Sequence, residues 1–392
     1  MTTFTHLECG RCGRRYEAGS RQGRCTCGGA LLARYDLELA RASWSRDWVR
    51  NGPVNLWRYA PVLPVRQADS IVSLGEGMTP LLLIPRLASQ VGARRLWIKQ
   101  EGAGPTGSWK ARRLALSVSM ARELHFDTVA VASSGNAAVA LATYAAAAGM
   151  RARVYLPSFA EPWARAECAI YGAQVLADDA APDQSGNAEA WRDLGPWRDP
   201  YGLEGAKTLG YELAEQFNWE PPDAILCPCG SGVGLVALWK AFTELRELGW
   251  TAGRFPRLVG VTIEGAGSAV DGFGPPSLAL FPELALGQPE NEELVRRALE
   301  DTGGARIAVG TAELAETALR LASREGILPS LEGAACVQAV ACAAGQGILK
   351  PEDRVVVVNP AAGSRRLDLY MRLPRVSESR QAARQGGLIT PR

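Results

Sequence analysis

Residues 128–149 read TVAVASSGNAAVALATYAAAAG. Thr128–Ala132 is a short run of small and β-branched residues, the pattern of a strand. Ser133, Ser134, Gly135 and Asn136 interrupt it with polar and flexible groups. From Asn136 onward the chain is rich in alanine, the strongest helix former. Strand, polar loop and helix in that order make one unit of an α/β layer, and the unit recurs. RLWIKQE (95–101) reads as a strand and SWKARRLALSVSMAREL (108–124) as a helix. ARVYLP (152–157) and AQVLADD (173–179) read as strands around the helix EPWARAECAIYG (161–172). KTLGYELAEQF (207–217) is a helix, DAILCPCG (223–230) a strand and GLVALWKAFTELREL (234–248) a helix. RLVGVTI (257–263) and RVVVVNP (354–360) are further strands. Several are continuous apolar runs, as expected where both faces of a sheet are covered. The alternation predicts a two-lobed α/β fold with parallel-rich sheets covered by helices.

A chain of 392 residues is long enough for two or three regions with cores of their own. Apolar residues at 47% and charged residues at 21% place it among soluble globular proteins. A net charge of +2 offers no general attraction to nucleic acid or to an anionic membrane. The basic CGRCGRR run lacks the aromatic interleaving of a base-stacking platform. No apolar run reaches the roughly 20 residues of a membrane span. The first residues, MTTFTHLECGRCGRRYEAG, contain no apolar signal core, so a cytoplasmic location is expected. His6 and His125 are the two histidines, which disfavours chemistry built on histidine bases or His-rich metal centres.

Cys9, Cys12, Cys25 and Cys27 crowd the N-terminus in CGRCGRRYEAGSRQGRCTCGGALLARYDLE (9–38). Two cysteine knuckles facing each other suit tetrahedral thiolate ligation of a structural zinc ion. The second knuckle is C-x-C, tighter than C-x-x-C, so a metal-free ribbon is the alternative. Cys168, Cys227, Cys229, Cys336 and Cys342 are scattered through strand and helix patterns and read as small buried thiols. Residues from about Asp36 to Ser73 read as an arm that Trp44, Trp48 and Trp57 pack onto the main body. The last stretch, from Pro374, has a weak apolar pattern and reads as a peripheral tail.

Ligands in open α/β folds sit at the carboxyl ends of strands. Three loops there carry unusual chemistry. GPTGSWK (104–110) places Lys110 at a helix start. The chain has five lysines in all, and arginine, its preferred cation, cannot act as an amine nucleophile. Lys207 and Lys240 fall inside helix patterns and read as solvated or snorkelling side chains. Lys350 lies in a turn, and Lys99, closing a strand, is the one competitor. SSGNAA (133–138) offers side-chain hydrogen bonds at a helix start that favours an anion. PCGSGVGLVALWK (228–240) alternates Gly230, Ser231, Gly232, Val233 and Gly234, and its backbone N–H groups can cradle a phosphate. It lacks the GK[ST] ending of a nucleotide-binding loop. A poised amine, an anion loop and a phosphate cradle together fit pyridoxal phosphate.

At this point the chain resembles threonine synthase and its fold-type-II pyridoxal-phosphate relatives in the tryptophan synthase beta superfamily. The resemblance runs from Leu7 to about Tyr370. It is carried by the cysteine ribbon, SLGEGMTPL, KQEGAGPTGSWKARR, ASSGNAAVALATYAA, GLEGAKTLGYELAEQ, CGSGVGLVALWKAF and SLEGAACVQAV in collinear order. It implies a two-lobed fold-type-II enzyme with a zinc-ribbon-like segment at 1–37 and a connecting arm at 38–73. The catalytic region would span 74–373, with a smaller nested lobe at about 108–200 and a tail at 374–392. It implies that Lys110 is the Schiff-base lysine and that Gly230, Ser231, Gly232, Val233 and Gly234 hold the cofactor phosphate. Asn136 would meet the cofactor O3′. Ser108, Ser133, Ser134 and Gly135 would bind substrate, and Glu332 would support the wall. The implied partner is a small amino acid, phosphorylated in the case of O-phosphohomoserine, and the family suggests a homodimer.

The chain departs from the family at three places. The family's S-F-K-D-R-G is here Ser108-Trp109-Lys110-Ala111-Arg112-Arg113, so the acid after the lysine is lost. The polar run whose hydroxyl faces the pyridine nitrogen is here NPAAGSRR (359–366), leaving Asn359 or Ser364 for that role. The lysine before the helix at 161–172 is absent, with Arg165 close by. The leading expectation is conversion of O-phosphohomoserine to threonine and phosphate. The alternatives are β-elimination or β-replacement on serine or O-phosphoserine, and a noncatalytic ligand-binding relative.

Overall fold

The computed structural model describes residues 2–177, 191–251, 253, 255–265, 284 and 291–371. Strands β1 (Phe4–Cys9), β2 (Arg15–Glu17) and β3 (Leu31–Tyr35) form an antiparallel sheet in the order β2-β1-β3. The arm follows as two short helices, α1 (Leu37–Ser43) and α2 (Arg46–Arg50), and a 3-10 segment, Leu56–Val62. Asp36 and Ser45 cap the two helices through their side chains. Trp44 packs against Trp250 at 4.4 Å between ring centroids, and Trp57 donates its indole N–H to Glu76 at 3.0 Å. Trp48 does not pin the arm as expected: it is 46% exposed and touches Trp44 edge-on.

The chain then runs β4 (Leu81–Leu83), α3 (Pro85–Ala88), β5 (Arg95–Gln100), α4 (Lys110–Glu123), β6 (Thr128–Ala132), α5 (Asn136–Ala148), β7 (Arg151–Leu156), α6 (Pro162–Ile170), β8 (Gln174–Ala177) and β9 (Arg192–Asp193). It continues through α7 (Gly202–Gln216), β10 (Ala224–Pro228), α8 (Val233–Glu247), β11 (Arg257–Ile263), α9 (Glu292–Asp301), β12 (Ala305–Val309), α10 (Leu314–Glu325), α11 (Leu331–Gly345), β13 (Arg354–Asn359) and α12 (Leu367–Tyr370). Every strand and helix read from the sequence is present. Strands β4, β9 and β12 and helices α3 and α9 to α12 come in addition. The expected tail lies outside the described residues.

Two sheets organise this region. The larger has the order β12-β11-β10-β13-β5-β4, parallel except for β4. The smaller has the order β8-β7-β6-β9 and is parallel throughout. Alternation along the central strands explains their unbroken apolar runs. Ile225, Cys227, Val356 and Val358 join a core with α7 and α8 residues, while Ala224, Leu226, Val355 and Val357 join a separate core with α11 residues. In the small sheet, Val129 and Val131 pack with Leu114, Val118, Val139 and Leu141 of α4 and α5. Strands β10, β13 and β5 are neighbours in the large sheet and point the same way. Their carboxyl ends, Pro228, Asn359 and Gln100, therefore deliver three loops to one edge.

Candidate active site

The loop after β5 turns into α4 at Lys110. Gly107 sits at φ +64° and lets the backbone reverse there. Trp109 N–H then donates to the Pro360 carbonyl at 2.8 Å, and Ser108 bridges to Ala361. The lysine loop is thus stitched to the end of β13. Across from it, β10 ends in the glycine loop, and Gly232, at φ +78°, is the residue before α8. A Cβ on Gly234 would stand 2.6 Å from the Trp109 ring, so glycine is required for the two loops to close on each other. Lys110 and the whole run Gly230–Gly234 line one cavity, together with Trp109, Arg113, Ala206 and Leu209.

The other site residues named from the sequence are not among those that line this cavity. Ser133, Ser134 and Gly135 form the turn between β6 and α5, and Asn136 is the first residue of that helix. Trp163 of α6 faces Gly135, with its ring 3.6 Å from where a Cβ would sit. Asn359 is buried at the end of β13 with both ends of its amide committed: it accepts from Ser330 N–H at 3.0 Å and donates to Gln100 at 2.7 Å. Ser364 is exposed on a 3-10 turn, Gly363–Arg366. Glu332 is buried in the first turn of α11 and is not part of the cavity lining.

Comparison with known proteins decides the family. The family described as "Pyridoxal-phosphate dependent enzyme" matches residues 72–361. Threonine synthase of Methanocaldococcus jannaschii is 32% identical over 380 residues, covering 93% of this chain and 94% of that protein. Threonine synthase of Methanosarcina acetivorans is 32% identical over 370 residues, 90% of each chain. This chain belongs to the pyridoxal-phosphate dependent enzyme family. The fold agrees: O-ureido-L-serine synthase superposes with a TM-score of 0.62 at 22% identity, over 80% of this chain and 98% of that one. A pyridoxal 5'-phosphate-dependent aspartate racemase gives 0.59 at 21% identity, over 76% and 92%.

The residues present fit the family's cofactor. The glycine loop lines the cavity beside Lys110 along its whole length. Thr106 Oγ1, Ser108 Oγ, Trp109 Nε1 and Asn136 Oδ1 are buried polar atoms with no hydrogen-bond partner among the described residues, an arrangement that costs stability unless a ligand supplies one. All four come from the lysine loop or the start of α5.

The departures seen in the sequence have structural answers. After Lys110, Ala111 carries no acid, and Arg112 pairs with Glu101 at 2.7 Å and Glu212 at 2.7 Å, both fully buried. Arg113 turns to donate to the Leu194 carbonyl. Lys99 ion-pairs with Glu212 and donates to the Thr79 carbonyl at 2.7 Å, so the competitor for Lys110 is a structural cation.

The expectation for Lys207 and Lys240 is overturned. Both are buried between α7 and α8, where Lys207 pairs with Glu204 at 2.6 Å and Glu244 at 2.8 Å. Lys240 joins the same two acids, and Tyr35 of β3 donates to Glu204 at 2.8 Å. Burial pulls Lys207 down to about 8 against the two carboxylates that favour its charge. The two acids and two lysines meet only where α7 packs on α8, so the sequence pattern of either helix alone carries no signal of this quartet. The scattered thiols are buried as expected at Cys168, Cys227, Cys229 and Cys336, with Cys342 half-buried. Burial pushes Cys229 up to about 11.

The N-terminal sheet brings Cys9, Cys12, Cys25 and Cys27 together, with all four sulfurs within 4.8 Å of one another. Cys9 and Cys27 are 3.5 Å apart, and Cys12 and Cys25 3.6 Å. Tetrahedral zinc with bonds of about 2.3 Å sets thiolate sulfurs about 3.8 Å apart, so the four thiols fit the ion. Gly29 has no side chain where one would stand 2.7 Å from Cys9 Sγ. The N–H of Cys27 and the Tyr16 hydroxyl hold the Cys25 thiol down to about 6, while burial pushes the Cys9 thiol up to about 12. Among the described residues, no helix is long and apolar enough to cross a membrane.

Proposed function

We propose that this enzyme converts O-phosphohomoserine to threonine and phosphate, with Lys110 as its catalytic lysine. The observation that carries the reading is the single cavity shared by Lys110 and Gly230–Gly234, in a chain whose threonine synthase relatives match it nearly end to end. Pyridoxal phosphate supplies an electron sink for the substrate Cα. Gly230, Ser231, Gly232, Val233 and Gly234 bind its phosphate through backbone N–H groups at the start of α8. Asn136 orients the ring through its buried amide. Ser133, Ser134 and Gly135 receive the substrate carboxylate at the start of α5, and Ser108 offers its buried hydroxyl beside Lys110. The Lys110 amine takes the proton from Cα and returns it farther along the substrate chain. Asn359 and Ser364 do not suit the pyridine nitrogen: the first is committed to Ser330 and Gln100, and the second faces solvent.

The same reading takes residues 74–373 as the catalytic region, with the smaller lobe at about 108–200. It places a structural zinc ion on the four N-terminal cysteines, closed to catalysis because no ligand position remains. It carries a cytoplasmic, homodimeric enzyme that does not bind nucleic acid.

Borohydride reduction of the purified protein followed by peptide mass mapping tests the site. A pyridoxyl label on Lys110, absent in Lys110→Ala, is expected. Phosphate release from O-phosphohomoserine should exceed release from O-phosphoserine, and Lys110→Ala should lower it about 1,000-fold or more. Label on another lysine overturns the assignment. Preference for O-phosphoserine with a labelled Lys110 shifts the reaction to the β carbon.

A further inference from the structure

Trp197 stands in the turn that joins β9 to α7, between the N-terminal sheet and the glycine loop. Its indole N–H donates to the Ser231 carbonyl at 2.7 Å. The side chain is buried in the same apolar cluster as Ala30, Leu203 and Leu235. Its backbone sits at φ +61°, a conformation that bulky residues adopt only when their surroundings enforce it. The enforcing contacts come from the cysteine segment. Arg24 donates from Nε to the Trp197 carbonyl at 3.3 Å. Gly23 leaves room for the Arg198 carbonyl, which a Cβ would meet at 2.5 Å. Arg192 donates to the Arg21 carbonyl, and the Tyr201 hydroxyl donates to the Ser20 carbonyl at 3.0 Å. Residues Ser20–Arg24 therefore hold the turn at both ends.

The Ser231–Gly232 peptide is planar and trans, so its C=O and N–H point in opposite directions. Gly232, at φ +78°, tolerates either orientation of the peptide before it, which leaves that plane free to flip unless something outside holds it. Trp197 holds the carbonyl end. Gly232 lines the Lys110 cavity, and Trp197 lies outside that lining.

We infer that Trp197 is a positioning residue that locks the Ser231–Gly232 peptide, so that the Gly232 N–H stays turned toward the cofactor phosphate, with Ser20–Arg24 as its outer support. The inference rests on the reading of Gly230–Gly234 as the phosphate loop. The cysteine segment then does more than decorate the surface: it braces the cofactor site through one indole.

Trp197→Phe keeps an aromatic side chain and removes the donor. Pyridoxal phosphate uptake by the apoprotein, followed by absorbance, should weaken about five- to tenfold, the range for one lost hydrogen bond. The 31P resonance of the bound phosphate should move or broaden, a change that a merely structural role would not produce in a fully loaded variant. Unchanged affinity with an unchanged 31P resonance overturns the inference while leaving the site reading intact. Failure of the unmutated protein to take up pyridoxal phosphate overturns the site reading, and the role of Trp197 with it. If Trp197→Phe does not fold, Arg24→Ala decides: about threefold weaker uptake supports the brace, and unchanged uptake overturns it.

Discussion

Glu212 sits where α7 meets the start of the catalytic region, and removing its charge should cost a quantity that varies with pH. The carboxylate is fully buried. It takes an ion pair from Lys99, another from Arg112 at 2.7 Å, and backbone N–H donors from Met78 and Thr79 at 2.8 Å each. Burial alone would raise its pKa. The charges of Arg112 and Lys99 and their hydrogen bonds outweigh it and bring the group from 4.5 down to about 2. A carboxyl depressed on folding stabilises the native state above its unfolded value and loses that contribution as pH falls toward its folded value. The drop corresponds to about 3 kcal/mol at neutral pH, in line with the loss of one partner from a buried ion pair. At pH 3 only about 1 kcal/mol of it remains. An unfolding entropy of about 2.1 cal/mol/K per residue gives about 0.8 kcal/mol/K for the chain. Glu212→Gln should therefore melt about 4 °C below the unmutated protein at pH 7 and only about 1–2 °C below it at pH 3. Paired calorimetric scans of the two proteins across that range make the comparison, and acids common to both cancel. A gap of the same size at both ends would mean that packing, not charge, is lost, and the electrostatic account of the cluster would be wrong.

Two further outcomes follow from the geometry. Metal analysis of the purified protein should find one zinc ion per chain, and Cys25→Ser should lower both the zinc content and the thermal midpoint, because Cys25 is a buried member of the four-thiol cluster and accepts from the Tyr16 hydroxyl of β2. Equal zinc in the two proteins would remove Cys25 from the ligand set. Gly205→Ala should destabilise by about 3 kcal/mol or more, read as a lower denaturation midpoint, because its Cβ would collide with the Arg112 carbonyl where α4 and α7 cross. A midpoint within experimental error of the unmutated protein would show that the two helices can part there.

The parallel core was legible because it is written in local pattern. Runs such as Val355–Val358 are apolar on every residue, and only a strand covered on both faces explains them. The cavity was legible at its two ends, since a lysine at a helix start and an alternating glycine loop both announce themselves locally. What joins them was not. Trp109 against Gly234 is a contact between residues 125 apart in sequence, and only the sheet order β10-β13-β5 brings them together. The buried lysines misled for a related reason. In a helix pattern, Lys207 and Lys240 look like any solvated cation, because burial of a charge depends on partners that other elements bring. Strands β1 to β3 escaped notice because two of them are held by cysteine turns rather than by an apolar run. Asn359 looked available as a polar side chain near the site, and its commitment to Ser330 and Gln100 appears only in three dimensions.

The placement of the lysines has a consequence for chemical probes. Lys99, Lys207 and Lys240 are locked inside the protein as ion-paired cations, which leaves Lys350 on the surface and Lys110 half-buried at the cavity. Most proteins offer an amine-reactive reagent dozens of targets and so report on no place in particular. Here the surface cations are overwhelmingly guanidinium groups, which such reagents ignore at neutral pH. A mild acylating or aldehyde probe becomes nearly site-selective on the folded protein. Protection of one of two reactive side-chain amines would then serve as a direct readout of ligand in the cavity, without a chromophore or a turnover assay.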